Sequence, residues 1–361
     1  RCPRAPGQTV GWGITLTNDY ARDYNSLFLV KLNPLGHAIW AQQVAGGSTS
    51  DTTSIQTDAL GNIYFVACMA RFAHFGVTNF TGYEDILVAK YDSNGNLIWA
   101  RKAGGNGYDY GLSLAVSPSG FAYVTGTFEK TAPFEQISLT SRGSSDLFLA
   151  KYSPSGSLDW VAQAGGTQQD GNGIVALDPD GGAFWSGAFR GSLTIGTNVL
   201  TPKGSLYDQD VFFARCDSLG NVRWVRQIGH DLVDPDTPGA LAVNVVSNGL
   251  SFSTNIFLSG HFNSRVTVGT VSLTNTSAQY LYLSKWDLDG QVLWVRQGAG
   301  ANSVIACNSS INPSVFITGQ FSSPSAWDTS WLFSSGNSDI YLTRLDSGTA
   351  PHTPVKPSIV Q

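Results

Sequence analysis

The run Asp85-Ile86-Leu87-Val88-Ala89-Lys90-Tyr91-Asp92-Ser93-Asn94-Gly95-Asn96-Leu97-Ile98-Trp99 decides the fold. Its flanks are apolar, β-branched and aromatic, and its Asp-Ser-Asn-Gly-Asn centre is the chemistry of a tight turn that needs a positive φ, so the phrase reads as a β-hairpin. The phrase recurs around Lys31/Gly36/Trp40, Lys151/Gly156/Trp160, Arg215/Gly220/Trp224 and Lys285/Gly290/Trp294, with Trp four residues after Gly each time. A sixth copy, Asp339 to Gly348, stops before its Trp. The two strands of this hairpin are called C and D.

A second phrase precedes each hairpin, as in Leu112 to Val116, Ser119-Gly120 and Tyr123 to Phe128, with relatives at Ser54 to Ala67, Gly173 to Phe189, Ala240 to Phe262 and Val304 to Phe321. It supplies strands A and B. The five Trp stand 59, 61, 64 and 70 residues apart, so one unit is about 60 residues and four strands, the size of one β-propeller blade. A ring of such sheets covers each face with a neighbouring blade and protects the sheet edges. The predicted fold is therefore all-β, a single propeller over residues 1–361 with six blades (alternatively seven), an N-terminal lead-in over 1–8 and a Pro-rich tail over 349–361. The opening segment reads as entering late in a blade and the last repeat ends after strand C, so the tail is expected to dock and close the ring.

Repetition assigns structural roles. Trp40, Trp99, Trp160, Trp224 and Trp294 are expected as plates at the blade seams, each worth ~2 to 3 kcal/mol when buried. Asp85/Lys90, Asp146/Lys151, Asp210/Arg215 and Asp339/Arg344 read as one charge pair per blade, of little worth where exposed. Gly46-Gly47, Gly104-Gly105 and Gly165-Gly166, followed by Asp51, Asp109 and Asp170, read as hinges whose Asp caps the turn amides.

Forty Gly, 42% apolar and 12% aromatic residues with 13% charged fit many short strands and turns, and a net charge of −5 excludes a basic field for nucleic acid or anionic lipid. Apolar runs are strand-sized, so direct membrane insertion is not expected. Cys2, Cys68, Cys216 and Cys307 lack zinc-ligand spacing, and three sit in strand-like runs as small hydrophobes, while a disulfide from Cys2 to the body stays open. The chain opens Arg-Cys-Pro-Arg, which reads as a mature or trimmed start.

These repeats resemble the bacterial β-propeller repeat called SBBP and, more loosely, the NHL repeat, over residues 9 to 348. The resemblance implies an exported protein, secreted or at the cell surface, of Bacteroidetes-like type, often with further domains.

No catalytic constellation, metal site or cofactor is expected. His37, His74, His230, His261 and His352 stand in no metal-ligand spacing and beside no nucleophile motif. A sialidase Asp box puts its aromatic three residues after Gly rather than four, and the Asp turns at Asp92, Asp178/Asp180 and Asp287/Asp289 lack the later oxygen ligands of a calcium loop. The expected function is a non-catalytic scaffold that binds a protein partner or larger surface assembly. The alternatives are a glycan-binding propeller and, less favoured, a hydrolase using the central mouth. Candidate contact residues are Trp331 and Phe333, which replace residues that are polar in most sibling repeats: Asn79/Thr81, Ser138/Thr140 and Ser272/Thr274.

Overall fold

The computed structural model describes residues 9–10, 14–15, 27–75, 77–205, 208–231, 235–247, 252–274, 280–307, 314–321, 325–327, 330–333, 335, 337 and 339–346. Among them every regular element is a β-strand. The chain divides into two compact units, Arg1–Gly165 and Gly166–Gln361.

In the first unit, Leu27–Leu32 pairs antiparallel with residues 38–45 of the long strand Ala38–Thr57. The rest of that strand opens a ladder that continues through Ile63–Phe75, Asp85–Tyr91 and Leu97–Ala103. A second ladder runs Tyr110–Val116, Ala122–Phe134, Ile137–Tyr152 and Leu158–Gly166. In the second unit the same A-B-C-D order appears as Gly171–Leu177, Ala183–Arg190, Gln209–Cys216 and Val222–Gly229. It appears again as Thr237–Ser247, Phe252–Phe262, Tyr280–Trp286 and Val292–Ala299. A three-strand copy follows, Ala301–Cys307, Ser314–Phe321 and Asp339–Asp346.

Each sheet is meandering and antiparallel, so the A–B and C–D turns lie at one end and the B–C and D–A connections at the other. The turn end is built as the sequence demands. Asp92 Oδ1 accepts the amides of Asn94 and Asn96 at 2.9 and 2.8 Å, and Gly95 closes the turn with φ 90°. Asp178 and Asp287 likewise accept amides of their own turns.

Between strands B and C lies a small hairpin. Phe72–Phe75 pairs with Thr78–Thr81, Thr131–Phe134 with Ile137–Thr140, Leu193–Ile195 with Asn198–Leu200, Arg265–Val268 with Val271–Thr274, and Ser325–Trp327 with Ser330–Leu332. The two-residue turns use a positive φ at Glu135 (50°), Gly196 (57°) and Gly269 (62°), as such hairpins require. The hairpin also covers the exposed edge of the preceding sheet. Ile228 pairs with Val268 and Gly229 with Thr267, and in the first unit the amide of Gly104 donates to Pro133 O at 3.0 Å.

The cores lie between consecutive sheets. Tyr64, Val66, Ile86, Val88 and Trp99 pack with Val124, Phe128, Phe134, Phe148 and Tyr152. Phe184, Val211, Phe213 and Ile228 likewise pack with Ile256, Leu258, Phe262, Tyr282 and Trp286. Central strands are accordingly covered on both faces, and Asp85–Tyr91 is buried at every position.

A further antiparallel pair, Thr9–Val10 with Ile14–Thr15, precedes Leu27. The lead-in over 1–8 and the docking tail over 349–361 lie outside the described residues, as does Cys2.

Candidate interaction surface

The seam between consecutive sheets is fastened at the turn end. Trp40, Trp99 and Trp224 donate their indole N–H to Ser93 O, Pro154 O and Leu288 O, at 3.3, 3.1 and 2.8 Å, each in the C–D turn of the next repeat. Lys31, Lys90 and Arg215 stand cross-strand from these three Trp and donate to the same carbonyls. A Cβ on Gly156 would lie 2.7 Å from the Trp99 ring, and one on Gly290 would lie 2.9 Å from Trp224. The turn glycine therefore serves twice, once for its φ and once to let the preceding repeat's Trp lie against the backbone. Trp99 is buried, whereas Trp160 and Trp294 are half-buried.

The once-per-repeat charge pair is corrected. Asp85 and Lys90 are five residues apart on one strand, so they leave opposite faces and sit far apart. The partner of Asp85 is Lys102, with Nζ to Oδ2 at 2.9 Å, while Lys90 lies 3.9 Å from Asp58 and over the Tyr64 ring. Asp146 accepts from Gln163, and Lys151 lies 3.9 Å from Asp159. Asp210 accepts from Gln227, and Arg215 binds Asp178 and Asp180. Asp339 accepts the amide of Ser335, and Arg344 donates to Ser314. The Asp row caps the B–C connection, and Lys31, Lys90 and Arg215 fasten the seam.

At the connector end these Asp side chains are part of a latch. An added Cβ on Gly104 would come 2.5 Å from Asp85 Oδ1, one on Gly165 2.1 Å from Asp146 Cγ, and one on Gly229 2.2 Å from Asp210 Cγ. In the repeat where Tyr280 stands in place of the carboxylate, its cross-strand partner is Ala299 rather than glycine. The Asp that follows the glycines closes the joint. Asp109 Oδ2 accepts from Gly105 N at 2.7 Å and Oδ1 from Glu129 N at 3.1 Å; Asp170 does the same with Gly166 N at 2.8 Å and Arg190 N at 3.2 Å. Asp236 donates its amide to Gln209 O and meets His230 Nδ1 at 3.4 Å. Burial pushes the carboxyl of Asp109 up to about 6 and that of Asp236 up to about 7. The side chain of Asp51 lies outside the described residues.

On this constant joint the first unit carries residues that do not recur. Tyr83 precedes Asp85, and Tyr108 and Tyr110 flank Asp109; the Tyr83 and Tyr108 hydroxyls are 3.0 Å apart and their ring centroids 5.5 Å. Tyr108 and Tyr110 stack with centroids 6.4 Å apart and 14° between planes. Tyr83 is 50% exposed and Tyr108 44%. Glu84 and Glu129 border the rings, Glu129 Oε2 accepting the Tyr108 amide at 3.5 Å. The next repeat has Ser144, Ser145, Gln169, Gly171 and Arg190 at the corresponding positions. Sequence reading missed this group because its members lie in two connections joined only by folding, although an aromatic residue on each side of a hinge Asp was visible.

Of the two residues singled out from the sequence, Phe333 is 72% exposed. The backbone of Trp331 pairs with Ala326 in the small hairpin, and its side chain lies outside the described part. The sibling positions Asn79, Thr81, Ser138, Thr140, Ser272 and Thr274 are all exposed.

Among the described residues no group of three or more His, Cys, Asp or Glu could hold a metal ion. Among the described residues no helix is long and apolar enough to cross a membrane. Cys68, Cys216 and Cys307 are free thiols, and burial raises the last two to about 12 and 11. Burial lowers His261 to about 4, so it is neutral at physiological pH.

The class of repeat is independently recognised: residues 98–127 match the β-propeller repeat family SBBP. That match runs from strand D of one repeat through strands A and B of the next, across the joint described above. The chain is also similar to an uncharacterized WD repeat-containing protein of Acanthamoeba polyphaga mimivirus, 34% identical over 115 residues, covering 29% of this chain and 8% of that protein. A second relative is the regulatory protein FlaEY of Caulobacter vibrioides, 28% identical over 174 residues, covering 45% of this chain and 18% of FlaEY. The chain thus spans less than a fifth of either relative.

Proposed function

We propose that the chain is a non-catalytic β-propeller scaffold, exported to the cell surface or beyond, whose connector end binds a protein partner. In this reading the copies form six blades of one ring, closed by the tail. The observation that carries the binding proposal is the contrast at the joints: seam and latch recur from repeat to repeat, whereas the exposed Tyr83 and Tyr108 occur in one repeat. Large aromatic side chains held in the open on a rigid frame are the composition of an interface centre. Similarity to a protein named for its WD repeats, another propeller repeat, agrees with a scaffold. The buried carboxylates agree as well, because among the described residues each is engaged by backbone amides or a neighbouring side chain.

The test uses a photo-crosslinking amino acid in the full chain, at Asn106 beside the tyrosines or at Leu60, which is 81% exposed in an A–B turn at the other end. With intact source cells, the expected result is one discrete protein adduct from position 106 and none from position 60. Adducts to glycan, or equal labelling from both positions, would overturn the reading.

A further inference from the structure

We propose that the joint formed by Tyr83, Glu84, Tyr108, Tyr110 and Glu129 receives an arginine side chain of the partner, its guanidinium stacked on the tyrosines and paired with the two carboxylates. This rests on the scaffold reading and names the chemistry of its contact.

The three rings are contiguous, because Tyr108 meets both Tyr83 and Tyr110. That surface is partly solvent-exposed and bordered by negative charge. Glu129 uses Oε2 for the Tyr108 amide and Glu84 uses Oε2 for Cys68 Sγ at 3.4 Å. Neither carboxylate forms an ion pair among the described residues, and the adjacent Lys130 is turned to Asn106 O at 3.0 Å. One oxygen of each glutamate is therefore open. The Tyr83 hydroxyl, then burial, then Glu129 and Glu84 raise the Tyr108 hydroxyl; burial, then Glu84, raises Tyr110 to about 12. Both carboxylates thus act on the rings themselves.

A cation answers both features, since the ring face and the carboxylate attract the same charge. A guanidinium fits better than an ammonium because it is flat, stacks on an aromatic face and offers N–H groups in its plane to carboxylate oxygens. The molecule already uses this stacking: Arg101, Arg226 and Arg296 lie over Trp99, Trp224 and Trp294 at 5.8, 5.3 and 5.5 Å. The corresponding joint of the next repeat reverses the pattern, with Arg190 where this one has Glu129 and no aromatic among its replacements.

The probe is the peptide acetyl-Gly-Arg-Gly-Arg-Gly-amide, titrated into the full chain at low ionic strength, beside its citrulline counterpart and a methyl glucoside. Citrulline keeps the shape and removes the charge. The arginine peptide is expected to bind at least about tenfold more tightly than the citrulline peptide and to weaken as salt is added. Glu129→Gln and Tyr108→Leu should each weaken it about tenfold at unchanged melting temperature, and Leu60→Gln should leave it unaltered. Equal binding of the citrulline peptide, binding of the glucoside instead, or no binding by any probe would overturn the assignment. A partner cross-linked at position 106 alongside a failed peptide would sink the arginine site alone. A bound peptide without any cross-linked partner would sink the scaffold reading instead.

Discussion

Two successive joints show how this molecule separates structure from recognition. At the joint around Asp109 and at the joint around Asp170, the same carboxylate closes the same pair of amides, with Gly105 and Glu129 in one case and Gly166 and Arg190 in the other. The residues outside the latch share nothing: Tyr83, Glu84 and Tyr108 in the first, Ser144, Ser145 and Gln169 in the second. A joint whose backbone is fixed by buried hydrogen bonds leaves its surface positions free to differ. Variation there does not have to be compensated in the core.

The largest effect should come from breaking the seam. Trp99→Ala removes a buried indole together with its bond to Pro154 O, and it should cost roughly 3 to 5 kcal/mol in denaturant unfolding. Trp160→Ala should cost less, because Trp160 is half-buried. Equal losses would mean that burial of the indole does not set the cost.

A smaller effect tests the latch. Gly229→Ala would drive a methyl into Asp210, and it should destabilise by about 1 to 3 kcal/mol as an overpacked site. Adding Asp210→Ser should recover about 1 kcal/mol or more of that loss, since contacting residues are non-additive. The Tyr280/Ala299 joint is the natural precedent for a side chain in place of this glycine. Additive losses would count against the latch.

The latch also sets a pH dependence. Asp109 and Asp236 have carboxyls raised above the ordinary value of about 3.9, so the folded chain binds protons more readily than the unfolded chain. Their contribution is complete below the unfolded value and is lost as pH rises through the folded one. The melting temperature should therefore fall between about pH 5 and pH 7.5. Asp109→Asn should flatten that slope; a slope that is flat in the parent protein would contradict the burial argument.

Much of the frame was legible from residues 85–99 alone, because turn glycine, Asx turn and Trp spacing are local chemistry repeated in phase. The Asp/Lys pairing was not. Lys90 finds its carbonyl 64 residues away at Pro154, in a different sheet, and spacing along one strand cannot report a partner across a seam. The small hairpin between strands B and C was hidden for another reason. In Phe134-Glu135-Gln136-Ile137 the positive φ falls on Glu135 rather than on a glycine, so this copy lacks the turn signal that Gly196 and Gly269 give its siblings. The tyrosine group needed the fold, since Tyr83 and Tyr108 lie 25 residues apart and meet because B–C and D–A connections share one end of the sheets.

The smallest stability change is expected where the account is most exposed to failure. The triple variant Tyr83→Ser, Tyr108→Gln, Glu129→Arg writes the next repeat's residues onto this joint, and its thermal melting can be measured against that of Trp99→Ala. The account predicts a melting temperature within about 2 °C of the parent, in line with surface changes of about half a kcal/mol, together with loss of arginine-peptide binding. A fall as large as that of Trp99→Ala, or peptide binding that survives the exchange, would contradict it.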